Sequence, residues 1–150
     1  MNITKQALIS EVRDYLNSKK AELEASLVEL KQSAASDTKS SAGDKYETGR
    51  EMVRQEMDKA TNVLAEYNKQ SQILSGIDPN SVHEKVQVGS LVITDKAFLF
   101  IAAAIGQLKI NGQVVFVISP HAPLAQSMLG KSLGDRINFG QISHKITALY

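Results

Sequence analysis

Few side chains in this sequence combine the residue types and spacing that chemistry demands. The 150 residues include three histidines and no cysteine, which excludes disulfides and thiolate metal sites. His83 and His144 fall near the ends of strand-like runs, without carboxylate or histidine partners at metal-ligand spacing, and are assigned no chemistry. The sequence contains no glycine-rich phosphate loop, no Gly-x-Ser-x-Gly elbow and no His-Glu-x-x-His zinc motif, so no independent active site is expected. The carboxylates that stand out are Asp37, Asp44 and Glu47, in and just beyond a polar stretch, Ser33 to Lys45, that also holds Lys39. Asp44 followed three residues later by Glu47 has the form of a capping box at a helix start.

That polar stretch lies between two matching apolar ladders. Ile9, Leu16, Leu23 and Leu30 recur every seven residues, with Leu27 and Ala34 four places after the last two. Tyr46, Val53, Ala60, Tyr67 and Leu74 repeat the arrangement, with Met57 and Leu64 four places after Val53 and Ala60. A seven-residue period gives each helix one apolar edge, and two such helices joined by a short polar connection favour an antiparallel pair. Lys20, Arg50 and Ser71 interrupt the seam, and Tyr46 at its edge is read as packing. A helix from about Thr4 to Ala34 extends roughly 45 Å at 1.5 Å per residue.

The helical pattern stops at Ser75-Gly76-Ile77-Asp78-Pro79-Asn80-Ser81, where a capping glycine, a proline and several turn formers meet. The expected organisation is therefore a hairpin over residues 1–75 with its tip near 34–46, a linker over 76–81 and a second domain over 82–150. In that domain Val86, Val88, Leu91-Val92-Ile93, Phe98-Leu99-Phe100-Ile101 and Val114-Val115-Phe116-Val117-Ile118 read as strands. Asn111-Gly112 reads as a tight hairpin turn between the last of these and the run around Leu108-Ile110. Pro123 opens a short helix through Leu129, Gly130 closes it, and two further strand-like runs end in Ile146 and Leu149. The fold class is α+β: an N-terminal antiparallel coiled-coil hairpin, then a small mixed sheet with one helix.

Net charge is +1, but residues 1–81 carry eleven basic and thirteen acidic side chains whereas 82–150 carry six and three. Neither half shows the clustered Lys and Arg with interleaved aromatics typical of nucleic-acid binders, so direct DNA or RNA binding is not indicated. The longest apolar run, Ala97 to Ile105, is nine residues, against the roughly 20 that span a bilayer. With no secretion-type leader and no cysteine, a reducing cytoplasm is the expected setting, with no membrane association.

The stretch Val115-Phe116-Val117-Ile118-Ser119-Pro120-His121-Ala122-Pro123-Leu124-Ala125-Gln126-Ser127-Met128-Leu129-Gly130-Lys131, followed by Gly134-Asp135 and a terminal strand ending in Tyr150, resembles the C-terminal domain of the Gre family of bacterial transcript cleavage factors. The family pattern is approximately Ile-Ser, two variable residues, Ser-Pro, a short helix, Leu-Gly-Lys and Gly-Asp; here Ala122 replaces the Ser-Pro serine. Lys45-Tyr46-Glu47-Thr48-Gly49-Arg50-Glu51 resembles the segment opening the second helix of that family's N-terminal hairpin.

The resemblance implies an FKBP-like C-terminal domain that docks on the rim of the RNA polymerase secondary channel, while the hairpin reaches towards the catalytic centre and the nascent RNA. Prolyl isomerase activity is not expected of that domain, since fold does not imply function and aromatics are few. The resemblance makes Ser119, Pro120, His121, Ala122 and Pro123 candidate polymerase contacts. It also makes Asp37, Asp44 and Glu47 candidate tip carboxylates, with Asp37 and Asp44 able to share a magnesium ion with the polymerase; no intrinsic cofactor or metal is expected. Magnesium is hard and is commonly held by one or two carboxylates plus substrate and waters. The family tip reads Gly-Asp-Leu-Ser-Glu-Asn, whereas this chain reads Ser36-Asp37-Thr38-Lys39-Ser40-Ser41 and places Ser40 where the glutamate would fall. Lys39 and Lys45 weaken cation binding there through their own charge. The expected function is a Gre-like elongation regulator, a monomer or weak homo-oligomer, that at most stimulates the polymerase's own RNA cleavage. The alternative is a helical-hairpin interaction protein that neither binds polymerase nor cleaves RNA.

Overall fold

The computed structural model describes residues 3–37 and 43–150, with side chains described outside 36–47. Two 33-residue helices come first, α1 (Lys5–Asp37) and α2 (Gly43–Ser75). Both run further into the polar stretch than the ladders alone indicate. Apolar periodicity reports where a helix is buried, and a polar helical turn beyond the seam leaves no such signal.

From Tyr15 to Lys69 the helices form one compact unit. Leu23, Leu27, Leu30 and Ala34 on α1 and Val53, Met57, Ala60, Leu64 and Tyr67 on α2 are half-buried, while most of the intervening positions are exposed. That spacing is the heptad seam of an antiparallel pair. Lys20 is half-buried at its ladder position and Arg50 is exposed. A pair of helices has only one shared face, so its seam residues keep part of their surface in water.

The second compact unit takes Met1–Asp14 together with Gln70–Tyr150. The roots of both helices are thus grouped with the sheet. Ile3, Leu8, Ile9, Val12, Leu74 and Ile77 of this unit are buried. Beyond the helices come β1 (Leu91–Thr94), β2 (Phe98–Ile101), β3 (Gly106–Ile110), β4 (Gln113–Ile118), α3 (Pro123–Met128), β5 (Arg136–Phe139) and β6 (Ile142–Leu149).

The strands form one mixed sheet in the order β3-β4-β2-β1-β6-β5, in which β2 and β4 are the parallel pair. β1 and β2 are short and nearly continuous in apolar residues because both faces are covered. One core gathers Val92, Leu99, Ile101, Ile137 and Ile146 around Ala125 and Met128 of α3. On the other side of the pleat Leu91, Ile93, Phe100, Val115 and Val117 are also buried.

The β3-β4 turn is Asn111-Gly112, with φ of 50° and 82°, pairing Ile110 with Gln113 as the dipeptide predicts. Two expectations need correction. Val86 and Val88 are not in a strand: Val86 is buried and exchanges backbone hydrogen bonds with Gly130 and Lys131, so its apolar character serves the core it joins beside α3. The last two strands also fall differently, for Ile146 and Leu149 share the single strand β6, and β5 ends at Phe139.

Candidate functional site

At the hairpin tip, Asp37 closes α1, while Asp44 and Glu47 lie in the opening turns of α2. Asp44 thus stands inside the helix rather than at the capping position expected of it, because the helix begins one residue earlier. The side chains of Asp37, Asp44 and Glu47 lie outside those described. Further along, Glu51 pairs with Arg54 at 2.9 Å and Lys19 with Glu22 at 3.6 Å, both exposed pairs of the kind that contribute at most about 1 kcal/mol. A groove of about 450 Å³ lies along the seam, lined on one side by Leu23 and Leu30 and on the other by Ala60 and Val63. Among the described residues no three His, Asp or Glu side chains converge on a metal-binding geometry.

The loop before α3 is built by its own hydrogen bonds. Ser119 Oγ accepts from the His121 amide at 3.1 Å, and the Ser119 carbonyl accepts from the Ala122 amide at 3.0 Å. The Pro120 carbonyl accepts from Gln126 Nε2 at 2.6 Å. His121 and Pro123 are exposed, Ser119 and Ala122 half-buried, and Pro120 buried. Of the five candidate contacts the structure therefore presents His121 and Pro123 outward and turns Pro120 inward, where it holds the loop in shape. Ala122 occupies the N-cap of α3 in extended conformation, φ −63° and ψ 144°, with no side-chain cap, and Pro123 follows at the start of the helix. Alanine at this position leaves the helix end without a side-chain acceptor.

A polar cluster that sequence reading missed fastens the root of α1. Lys5, only 5% exposed, donates from Nζ to the Ser81 carbonyl at 2.9 Å and towards Ser81 Oγ at 3.3 Å. His83 bridges the same hydroxyl, 3.2 Å from Nε2, to Ser90 Oγ, 2.6 Å from Nδ1. Ser81 Oγ donates to the Asp78 carbonyl, and Ser90 Oγ accepts from the Gln87 amide. Neutral His83 with its proton on Nε2 satisfies every member, since Ser90 then donates to Nδ1 and Ser81 accepts from Nε2. Burial pushes the Lys5 ammonium below its ordinary pKa, against the pull of Asp78. Burial and the Lys5 charge likewise lower His83. The signal in the sequence was Lys5 itself, a lysine four places before Ile9 and seven before Val12 on the buried face of α1. Gln70, also buried, accepts from the Ala104 amide through Oε1 at 2.9 Å.

His144 Nδ1 lies 3.0 Å from Thr94 Oγ1. No helix among the described residues is long and apolar enough to cross a membrane.

The arrangement defines a class, a long antiparallel helical hairpin joined to a small mixed sheet with one short helix. No family model matches the sequence, and none of the curated proteins does. Among solved structures the chain is similar to GreA factor homolog 1 (Gfh1) of Thermus thermophilus, at 15% identity and a TM-score of 0.35, over 95% of this chain and 94% of that one. A second structure, of the transcription factor Gfh1, is similar at 16% identity and a TM-score of 0.35, over 95% and 92% of the two chains. No residue role is carried over from either.

Proposed function

We propose that this chain is a Gre-like regulator of transcription elongation, which binds RNA polymerase in the cytoplasm and extends its hairpin into the secondary channel. The observation that supports this reading most is the hairpin: two helices of 33 residues each, of which the part outside the sheet unit, within Tyr15–Lys69, is about 35–40 Å long at 1.5 Å per residue. Outside its seam most of its exposed positions are polar, which suits a water-filled channel. The Gre-like motif at the other end of the chain supplies the anchor, with His121 and Pro123 exposed on a loop locked by Ser119, Pro120 and Gln126.

The tip carboxylates are oxygen donors of the type magnesium takes, but Lys39 and Lys45 stand among them and oppose the cation. Occupation of the channel is therefore the primary activity in this reading, and cleavage is a separate outcome. The test adds the purified protein to a backtracked elongation complex of its own polymerase with magnesium, following bound factor and 3′ RNA fragments together. Binding without fragments is the expected result. Binding with fragments assigns Asp37, Asp44 and Glu47 to cleavage, in which case replacing all three with Ala abolishes it while leaving affinity intact. Failure to bind overturns the proposal.

One observation favours a second reading, a hairpin that engages another helical protein. Val28, Met52 and Val63 are 54%, 62% and 39% exposed on α1 and α2. A stable homo-oligomer or helical partner in a pull-down free of polymerase would select it.

A further inference from the structure

We propose that the outer face of the β5-β6 hairpin is a binding surface for the phosphate backbone of double-stranded nucleic acid, read without regard to sequence. Three cations from separate parts of the chain meet there. Arg136 and Lys145 are directly opposite each other across the two strands, and both are exposed. Like charges so placed destabilise a hairpin, and neither makes a salt bridge among the described residues. Lys96 joins them from the β1-β2 turn, its ammonium donating to the Ser143 carbonyl. That turn is held rigidly, for Thr94 Oγ1 accepts from the amides of Lys96 and Ala97 at 3.2 and 3.0 Å.

Two acids nearby, Asp95 and Asp135, offset part of this charge, and the backbone amides that they accept from fix where they sit without removing their own charge, so the three cations leave a small positive excess. Asp95 Oδ1 accepts from the Lys145 amide at 2.9 Å, a bond that with the Lys96 charge holds its carboxyl below the usual range. Asp135 turns to the Ser132 amide, at 2.8 Å.

The neighbours of the cations indicate what they would bind. The pair Asn138 and Ser143 lies on the same side of the pleat as Arg136 and Lys145, while Ile137, Phe139, Ile142 and His144 point to the other side. The face thus offers guanidinium, ammonium, amide and hydroxyl groups without an apolar centre. Protein interfaces are built around an apolar or aromatic core, whereas phosphate contacts use this set of donors. Single-strand binders add aromatic platforms for the bases; this face has none, which favours a duplex. The proposal is independent of polymerase binding.

The experiment measures anisotropy of a fluorescein-labelled 20-base-pair DNA duplex titrated with the full-length protein. Three phosphate contacts give a slope of log affinity on log salt of about −2.7, so that binding weakens about 40-fold between about 50 and about 200 mM salt. Replacing Lys96, Arg136 or Lys145 with Ala should each lower the slope by about one unit, while Arg136→Lys retains it. A triple-alanine variant with an unaltered melting temperature should no longer bind, and a variant of the distant Lys109 should bind as the parent does. Absence of binding at low salt, salt dependence unchanged in the variants, or equal competition by polyglutamate would overturn the proposal, the last by indicating an acidic protein instead.

Discussion

Single residues determine how well the two ends of the candidate machinery are held. Ala122 sits at the N-cap of α3 with cap-compatible dihedrals and no acceptor. Ala122→Ser should therefore stabilise the protein by about 0.5–1 kcal/mol, measured by urea unfolding, and no gain would mean that the half-buried hydroxyl fails to reach the helix amides. At the other end His83 is held neutral between Ser81 and Ser90, with its pKa lowered by burial and by Lys5. The folded protein then binds fewer protons than the unfolded chain between the depressed value and about 6.5, so stability rises with pH across that window. The His83 contribution is complete above about pH 6.5 and is lost as pH falls through the folded value. Unfolding measured from pH 7.5 down to 5 should show this loss, and His83→Gln should remove that part of the slope.

Elements are set by backbone conformation as much as by burial, and two glycines separate these effects. Gly112 has a φ of 82° in the β3-β4 turn, with open space where a Cβ would stand. Gly89 has a φ of 89°, and a Cβ there would lie 2.8 Å from Ile77 Cγ2. Gly112→Ala should accordingly cost about 1 kcal/mol through conformation alone. Gly89→Ala adds overlap with a buried isoleucine and should cost about 2–4 kcal/mol in the same denaturation assay. The helices follow a graded rule. Leu16 is fully buried whereas Leu27 in the seam is half-buried, so Leu16→Ala should cost about 2–5 kcal/mol and Leu27→Ala clearly less.

At the scale of the whole molecule, the proposed function assigns anchoring and channel occupation to different parts of the chain, and the two should then separate under mutation. Replacing His121 and Pro123 with Ala should weaken polymerase binding about 10-fold, a loss ordinary for two exposed contact residues. Replacing Asp37, Asp44 and Glu47 should leave that affinity unchanged. Equal losses from both sets, measured by competition on the elongation complex, would argue against the division.

Much of this architecture was legible from local pattern. The heptads of Leu23, Leu27, Leu30, Val53, Met57 and Leu64 reported the hairpin, because a seven-residue repeat can bury only one edge of a helix. Asn111-Gly112 reported its turn, because few residues tolerate positive φ. Pro123 and Gly130 bracketed α3 for equally local reasons. Pairing between distant segments was not legible. The parallel contact of β2 with β4, the insertion of β6 beside β1, the inward turn of Pro120 and the fastening of Lys5 to Ser81 depend on residues far apart in sequence. Charge behaves likewise: six basic residues scattered from Lys85 to Lys145 form no run, yet strand register sets Arg136 opposite Lys145 and the β1-β2 turn brings in Lys96. The sequence alone determined which segments become helix, strand or turn, through propensity and periodicity that act over a few residues. Only the tertiary structure decided which side chains meet, because that choice follows from burying both faces of one sheet at once.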